Sequence, residues 1–213
     1  MIARVRGHAR RMRLRRALAP RSSVPLERLG SSYGGWVIPS DLVDRESIVY
    51  SGGVGEDVSF DLALIARTGC TVWAFDPTPR SIEFARHIGE PRFHFLPFGL
   101  WSSDCTQRFY APAEARHVSH SAVMTADARP SFEAECKSLG TAMRELGHDR
   151  IDLLKLDIEG AEIEVLASLE TEPDCICVEL HPVRELHEIV GLVKALPYDV
   201  LHVEGWNVTL AHR

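Results

Sequence analysis

No run of 18 apolar residues occurs in the 213-residue chain, so no segment of it reads as a membrane-spanning helix. Near the start, Leu14, Ala17, Leu18 and Ala19 are interrupted by Arg15 and Arg16, so the apolar stretch of a secretory signal is missing too. There is no Cys-x-x-Cys pair: Cys70, Cys105, Cys136, Cys175 and Cys177 form an odd set, and the ten histidines are scattered. That pattern speaks against zinc clusters and structural disulfides, and for a reducing compartment, here taken as cytoplasmic. Acid is almost absent from residues 1–28, where Glu27 stands against nine arginines, a balance of +8. The net charge of −6 leaves −14 on the remainder, and an acidic body of that kind gives no expectation of a nucleic-acid partner. Residues 1–28 are therefore expected as a basic tail or surface helix, with a targeting segment as the alternative. Residues 29–213 are expected as one domain.

A hydrophobic content of 45% and a charged content of 25% are those of an ordinary folded domain able to bury a core. Strand and helix patterns alternate along it. Residues 48–51 are a short apolar run, 57–68 carry apolar residues mostly at helical spacing before Gly69, and 71–76 are rich in β-formers. Pro79 suits the first turn of a helix reaching roughly Gly89. Residues 92–101 begin a third strand, in which Pro97 argues for an edge, a bulge or an end. A less regular stretch over 102–129 holds a possible extra strand at 107–110. Helical character is expected over 131–146, 160–170 and 182–196, and strands over 151–157 and 174–180. Two late strands, 198–204 and 206–212, are joined around Gly205 so tightly that they must run antiparallel. The pattern predicts a doubly wound α/β fold.

Three strand ends carry the chemistry. Ser51-Gly52-Gly53-Val54-Gly55-Glu56-Asp57 follows the first strand, where glycines let a ligand approach the backbone and the next helix offers free N–H groups. Asp76 ends the second strand, 21 residues after Gly55, near the distance at which dinucleotide folds place a ribose-binding acid. The apolar run Leu153-Leu154-Lys155-Leu156 leads into Asp157, Glu159 and Gly160, placing two carboxylates at the carboxyl edge of the sheet, where open α/β sheets bind ligands. Buried Lys155 requires a partner, with Asp157 or Glu159 the nearest in sequence. Glu159 also suits a cap on the helix that follows. His181, at the end of the fifth strand, has the unperturbed pKa of a base near neutrality. An NAD(P) oxidoreductase competes, but Val58 stands where its third glycine belongs. Ser119-His120-Ser121 is either a ligand contact or an exposed polar loop.

Gly53 and Gly55, Phe75-Asp76-Pro77, Phe98-Gly99-Leu100-Trp101, the stretch from Leu154 to Glu162 and Val178-Glu179-Leu180-His181-Pro182 together resemble the FkbM-type methyltransferases over about residues 47–182. The resemblance implies a Rossmann-like, mainly parallel seven-stranded sheet with an antiparallel last strand and helices on both faces. It also implies S-adenosylmethionine as cofactor and a hydroxyl on a small molecule, sugar or lipid-like compound as acceptor, with no required metal. The implied cofactor contacts are Ser51, Gly53, Gly55, Asp57, Asp76, Gly99 and Trp101, the last against adenine or in the core. The implied acceptor-side residues are Asp157, Glu159 and His181. Ser51 and Asp57 depart from the family's acid-x-Gly-x-Gly-x-Gly pattern, which keeps open a methyltransferase-like domain that binds without turning over.

Overall fold

The computed structural model describes residues 2–111 and 129–213. Helix α1 (Ile2–Leu18) and a hairpin of β1 (Leu26–Leu29) and β2 (Trp36–Pro39) come first. Then β3 (Ile48–Gly52), α2 (Ser59–Thr68), β4 (Thr71–Phe75), α3 (Pro79–Ala85) and β5 (Phe93–Leu96) alternate. Strands β6 (Gly99–Leu100), β7 (Cys105–Ala111) and β8 (Arg129–Lys137) form a separate three-stranded sheet. They are followed by α4 (Leu139–Leu146), β9 (Leu153–Leu156), α5 (Glu162–Ala167), β10 (Cys175–Glu179), α6 (Leu186–Ala195), β11 (Tyr198–Glu204) and β12 (Asn207–His212).

The main sheet has the order β11-β12-β10-β9-β3-β4-β5. All its pairings are parallel except those of β12, which runs antiparallel to both β10 and β11. This is the expected Rossmann-like sheet with its antiparallel last strand. Strand order reverses between β3 and β9, and there the chain leaves the sheet in opposite directions on the two sides, opening a crevice at the carboxyl ends.

Alternation along the strands divides the core in two. Tyr50, Leu154, Leu156, Ile176 and Val178 face one side, under residues of α4, α5 and α6. Val49, Val72, Leu153, Cys175 and Cys177 face the other, under α2 and the β1–β2 hairpin. That hairpin covers the part of the sheet that α2 does not reach: Trp36 and Ile38 are buried there, and Thr209 Oγ1 donates to the Val37 carbonyl at 2.6 Å. Helix α1 closes the opposite face near the sheet edge. Leu14 and Leu18 are buried in the core with Val193 and Val203, and Arg15 donates to the Val203 carbonyl at 3.1 Å. Among the described residues no helix is long and apolar enough to cross a membrane.

One sequence expectation is corrected and another is met. Residues 131–137 belong to β8, and the helix starts only at Leu139, where the Ser138 hydroxyl accepts from the Thr141 N–H at 3.1 Å. The reason is period two: Phe132, Ala134 and Cys136 alternate with exposed Glu133 and Glu135. The strand expected to begin in 92–101 is an edge strand that stops where Pro97 argues for an end. It ends as edge strand β5 at Leu96, and after Pro97 the chain crosses to the smaller sheet as β6. Ser119-His120-Ser121 lies outside the described residues.

Candidate active site

Gly53 shows why the first strand ends in glycines. Its φ is +82°, and a Cβ on it would lie 1.7 Å from the Asp157 carbonyl oxygen, so only a bare Cα lets the turns after β3 and β9 cross. The crossing is pinned by two backbone bonds, Gly53 N–H to the Phe75 carbonyl (2.9 Å) and Asp157 N–H to the Gly52 carbonyl (3.0 Å). Gly53, Asp76 and Asp157 thereby come from three distant parts of the chain to one cavity of about 780 Å³, within the usual size of a cofactor or ligand site.

Asp76 is held firmly by the protein itself. One carboxylate oxygen accepts from the N–H groups of Val54 (2.9 Å) and Gly55 (3.0 Å) and from the Ser81 hydroxyl (2.8 Å). The other accepts from the Thr78 N–H at 2.8 Å. The acid therefore shapes the glycine turn along which a ligand had been expected to approach the backbone. Gly55 also has positive φ, but a Cβ there would meet nothing within 4 Å, so its backbone is open to a ligand. Asp57 lines the cavity while accepting from the Ser59 N–H (2.8 Å) and the Ser31 hydroxyl (2.7 Å). Burial pushes its pKa up, and these bonds more than reverse that, leaving it below the ordinary value. Gly99 and Trp101 line the same cavity.

Ser51 is the exception among the expected cofactor contacts. Strand alternation turns it away from the cavity wall into the core beneath α2, where its fully buried hydroxyl lies beside the buried Asp61 carboxyl. Lys155, on the same face of the next strand, finds no carboxylate close enough for an ion pair among the described residues. Its ammonium donates instead to the carbonyls of Gly53 (2.5 Å) and Gly52 (3.4 Å), bracing the glycine turn from below.

The acidic turn after β9 is organised by Glu162, a residue the sequence reading gave no role. Its buried carboxylate accepts from the N–H groups of Ile158 and Gly160, both at 2.9 Å, and meets His181 Nδ1 at 2.9 Å. Glu162 thus satisfies the turn ahead of α5, and no side chain caps the helix itself, Glu159 included. The tight turn leaves Glu159 with a left-handed backbone, φ +53°, and its carboxylate lies 3.1 Å from His181 Nε2. A non-glycine residue in that region is held there by its surroundings. Burial disfavours a charged His181, but the carboxylates on its two nitrogens outweigh that and raise its pKa to about 11. The imidazole expected to titrate near neutrality is an imidazolium. Asp157, Glu162 and His181 place ligand atoms within 4.8 Å of one another, a spacing that suits a divalent ion. Binding an ion there requires expelling the imidazolium proton and breaking its bonds to both glutamates.

Two further cavity residues escaped the sequence reading. Glu179, the last residue of β10, faces Asp157 across the parallel pair, and burial followed by the Asp157 charge raises its pKa to about 7. Its signal was a second acidic strand end beside the first. Tyr33, 88% exposed, reaches the cavity mouth from the turn between β1 and β2, near Asp157, Glu159 and Glu179. The Gly-Ser-Ser-Tyr-Gly-Gly cluster at 30–35 was the trace of that turn.

The methyltransferase FkbM domain model matches residues 52–200. The chain is 32% identical over 131 residues to the human protein named probable methyltransferase-like protein 24, a match covering 61% of this chain and 30% of that protein. The rat protein of the same name matches at 32% over 128 residues, covering 60% and 30%. The chain thus spans less than a third of the length of these relatives. Among solved structures, the FkbM methyltransferase of Methylobacillus flagellatus KT superposes with a TM-score of 0.49 at 13% identity, covering 79% of this chain and 44% of that one.

Proposed function

Because the chain belongs to the FkbM methyltransferase family, we propose that it binds S-adenosylmethionine in the crevice between β3 and β9 and methylates a hydroxyl on a small-molecule, sugar or lipid-like acceptor. The observation that carries this reading is the convergence of Gly53, Asp76 and Asp157 on one cavity at the point where strand order reverses. S-adenosylmethionine, when bound, supplies a methyl group on a cationic sulfur that leaves as a neutral thioether. The open backbone at Gly55 fits the close passage of such a ligand, and Gly99 and Trp101 complete that half of the cavity. Asp76 fixes the shape of the glycine turn and presents its carboxylate edge to the ribose. The strand ends of β9 and β10 face the acceptor, with Asp157 and Glu159 as acids and His181 as the cation that holds Glu159 in place. The carboxylates on that wall support an uncharged acceptor over a phosphodiester backbone, whose charge they oppose. Residues 29–213 are the proposed methyltransferase domain, with residues 1–28 as a basic extension of it.

A second reading, a binding domain without turnover, draws on the four protein hydrogen bonds that already occupy Asp76. Titration calorimetry separates the two readings. The methyltransferase reading expects S-adenosylmethionine to bind at micromolar concentration, Asp76→Ala to weaken it at least tenfold, and NAD to give no heat. No heat from S-adenosylmethionine at millimolar concentration refutes it.

A further inference from the structure

We propose that the outward face of α1 is a docking surface for an anionic lipid bilayer. The inference concerns where the protein binds, and it stands on geometry and charge apart from the methyl-transfer reading.

The helix uses its apolar stripe internally. Gly7, Arg10, Leu14, Ala17 and Leu18 are its less exposed positions, at the spacing of one helical face, and Leu14 and Leu18 are buried against α6 and β11. Two arginines fasten the helix beside them. Arg10 lies over the Trp206 ring at 5.9 Å and donates to the Arg184 carbonyl at 3.5 Å, and Arg15 donates to the Val203 carbonyl at 3.1 Å. The opposite face carries Met12, Arg13 and Arg16, since Met12 and Arg13 lie four and three residues before Arg16. Arg11 stands on its flank. All four side chains are exposed, Met12 at 55%.

No carboxylate answers these charges. Arg11, Arg13 and Arg16 form no ion pair among the described residues, because the acids of the elements under α1 are engaged elsewhere. Glu185 and Glu188 cap α6 reciprocally, Asp199 pairs with Arg213, and Glu204 pairs with Arg28. Guanidinium groups hold phosphates through paired N–H donors, which suits them to lipid headgroups. A basic helix face with an apolar side chain standing out of it is the composition of a segment that lies on a bilayer surface.

The distribution of charge favours a bilayer over a nucleic acid. Residues 1–28 carry +8 and the remainder −14. A planar anionic surface meets the basic helix and leaves the acidic body on the far side, largely beyond the screening distance of about 8 Å at physiological salt. A polynucleotide running past the end of one helix meets that acidic body and is repelled by it. The docked face also adjoins the site. Arg10 and Arg11 lie at the β11–β12 turn, against Trp206 and Gly205, and Asn207, the first residue of β12, lines the cavity. Docking through α1 therefore brings the β10–β12 side of the cavity to the edge of the bilayer contact.

Vesicle sedimentation with the full chain tests this. The protein should bind vesicles of phosphatidylcholine mixed with phosphatidylserine, bind pure phosphatidylcholine vesicles far more weakly, and be released as salt rises. Each arginine at an anionic surface contributes roughly fivefold to partitioning, so changing Arg11, Arg13 and Arg16 together to glutamine should weaken binding about a hundredfold. Changing the same three to lysine keeps the charge and should leave binding close to that of the wild type. Both variants should keep the wild-type unfolding midpoint, because these side chains are exposed. No sedimentation with the mixed vesicles, equal binding to uncharged ones, or undiminished binding by the glutamine variant overturns the proposal. A lowered midpoint in the glutamine variant contradicts a free outward face and overturns it too. Release from the vesicles by single-stranded RNA at lower concentration than by phosphatidylserine vesicles in competition assigns the face to nucleic acid instead. S-adenosylmethionine enters none of these measurements, so failure of the methyl-transfer reading leaves their outcome unchanged.

Discussion

Glu179→Gln is expected to stabilise the protein, and to do so only above the pH at which an ordinary glutamate ionises. The carboxyl group is raised from 4.5 to about 7 in the fold, chiefly by burial and secondarily by Asp157. A raised folded-state pKa means that the native state gives up its proton less readily than the unfolded chain does. The stability linked to Glu179 is therefore fully present below pH 4.5 and is lost as pH rises through 7. At about 1.4 kcal/mol per pKa unit the loss reaches roughly 3 kcal/mol as a ceiling, and about 2 kcal/mol once shared with Asp157. Glutamine has no proton to lose, so it lacks this dependence. The variant should thus match the wild type at pH 4 and exceed it by about 2 kcal/mol at pH 8. In a chain of this size that amounts to roughly 4–8 °C in melting temperature. Urea denaturation at half-unit steps from pH 4 to 8.5 reads the difference directly. A gap that does not grow with pH, or a variant less stable than the wild type at pH 8, would refute the account of this carboxyl pair.

Two glycines of one turn should respond very differently to alanine. Gly53→Ala adds a Cβ 1.7 Å from the Asp157 carbonyl oxygen at a left-handed φ, so it should cost roughly 3–5 kcal/mol and uncouple the β3 and β9 turns. Gly55→Ala meets only the φ penalty and should cost about 1 kcal/mol; equal midpoints in urea for the two variants would contradict the crossing as described. Leu14→Ala should cost about 2–4 kcal/mol despite its place in an arginine-rich segment, because the side chain is fully buried against α6 and β11. A change below 0.5 kcal/mol in thermal or urea unfolding would mean that α1 is not docked as the buried leucines indicate.

The strands that build the site were legible because parallel strands buried on both faces read as unbroken apolar runs. β3, β4, β9, β10 and the β11–β12 hairpin lie within a residue or two of where composition places them. The antiparallel hairpin was forced by the shortness of its turn at Gly205. What escaped is instructive. The strands β1 and β2 are four residues each, too short to show a period, and their value lies in covering a patch of sheet that only the tertiary structure exposes. In β8 the alternation of Phe132, Ala134 and Cys136 was absorbed into the helical pattern that begins at Leu139. Helix α1 buries only two leucines among its described side chains, and arginine dominates any average over it. At the site, strand-end acids could be located, because topology fixes where strands end. The direction of a side chain at the end of a strand depends on the phase of its alternation, which is why Ser51 was placed on the wrong side of the sheet.

Side-chain chemistry was the least legible layer, because it depends on which acids meet. Four of the carboxyl groups on the acceptor wall, Asp157, Glu159, Glu162 and Glu179, look alike in the sequence and behave differently in the fold. His181 joins two of them into one ionised cluster that locks the turn after β9, since each carboxylate favours the imidazolium and the imidazolium favours each carboxylate. Glu179 stands outside that cluster, and burial followed by the Asp157 charge holds its carboxyl up at about 7. Lys155 lies nearby but donates to the Gly52 and Gly53 carbonyls. Divergent environments are the physical means by which similar acids of one wall come to hold their protons differently. The histidine that resembles a base in the sequence is in the fold the cation that fixes two of these acids.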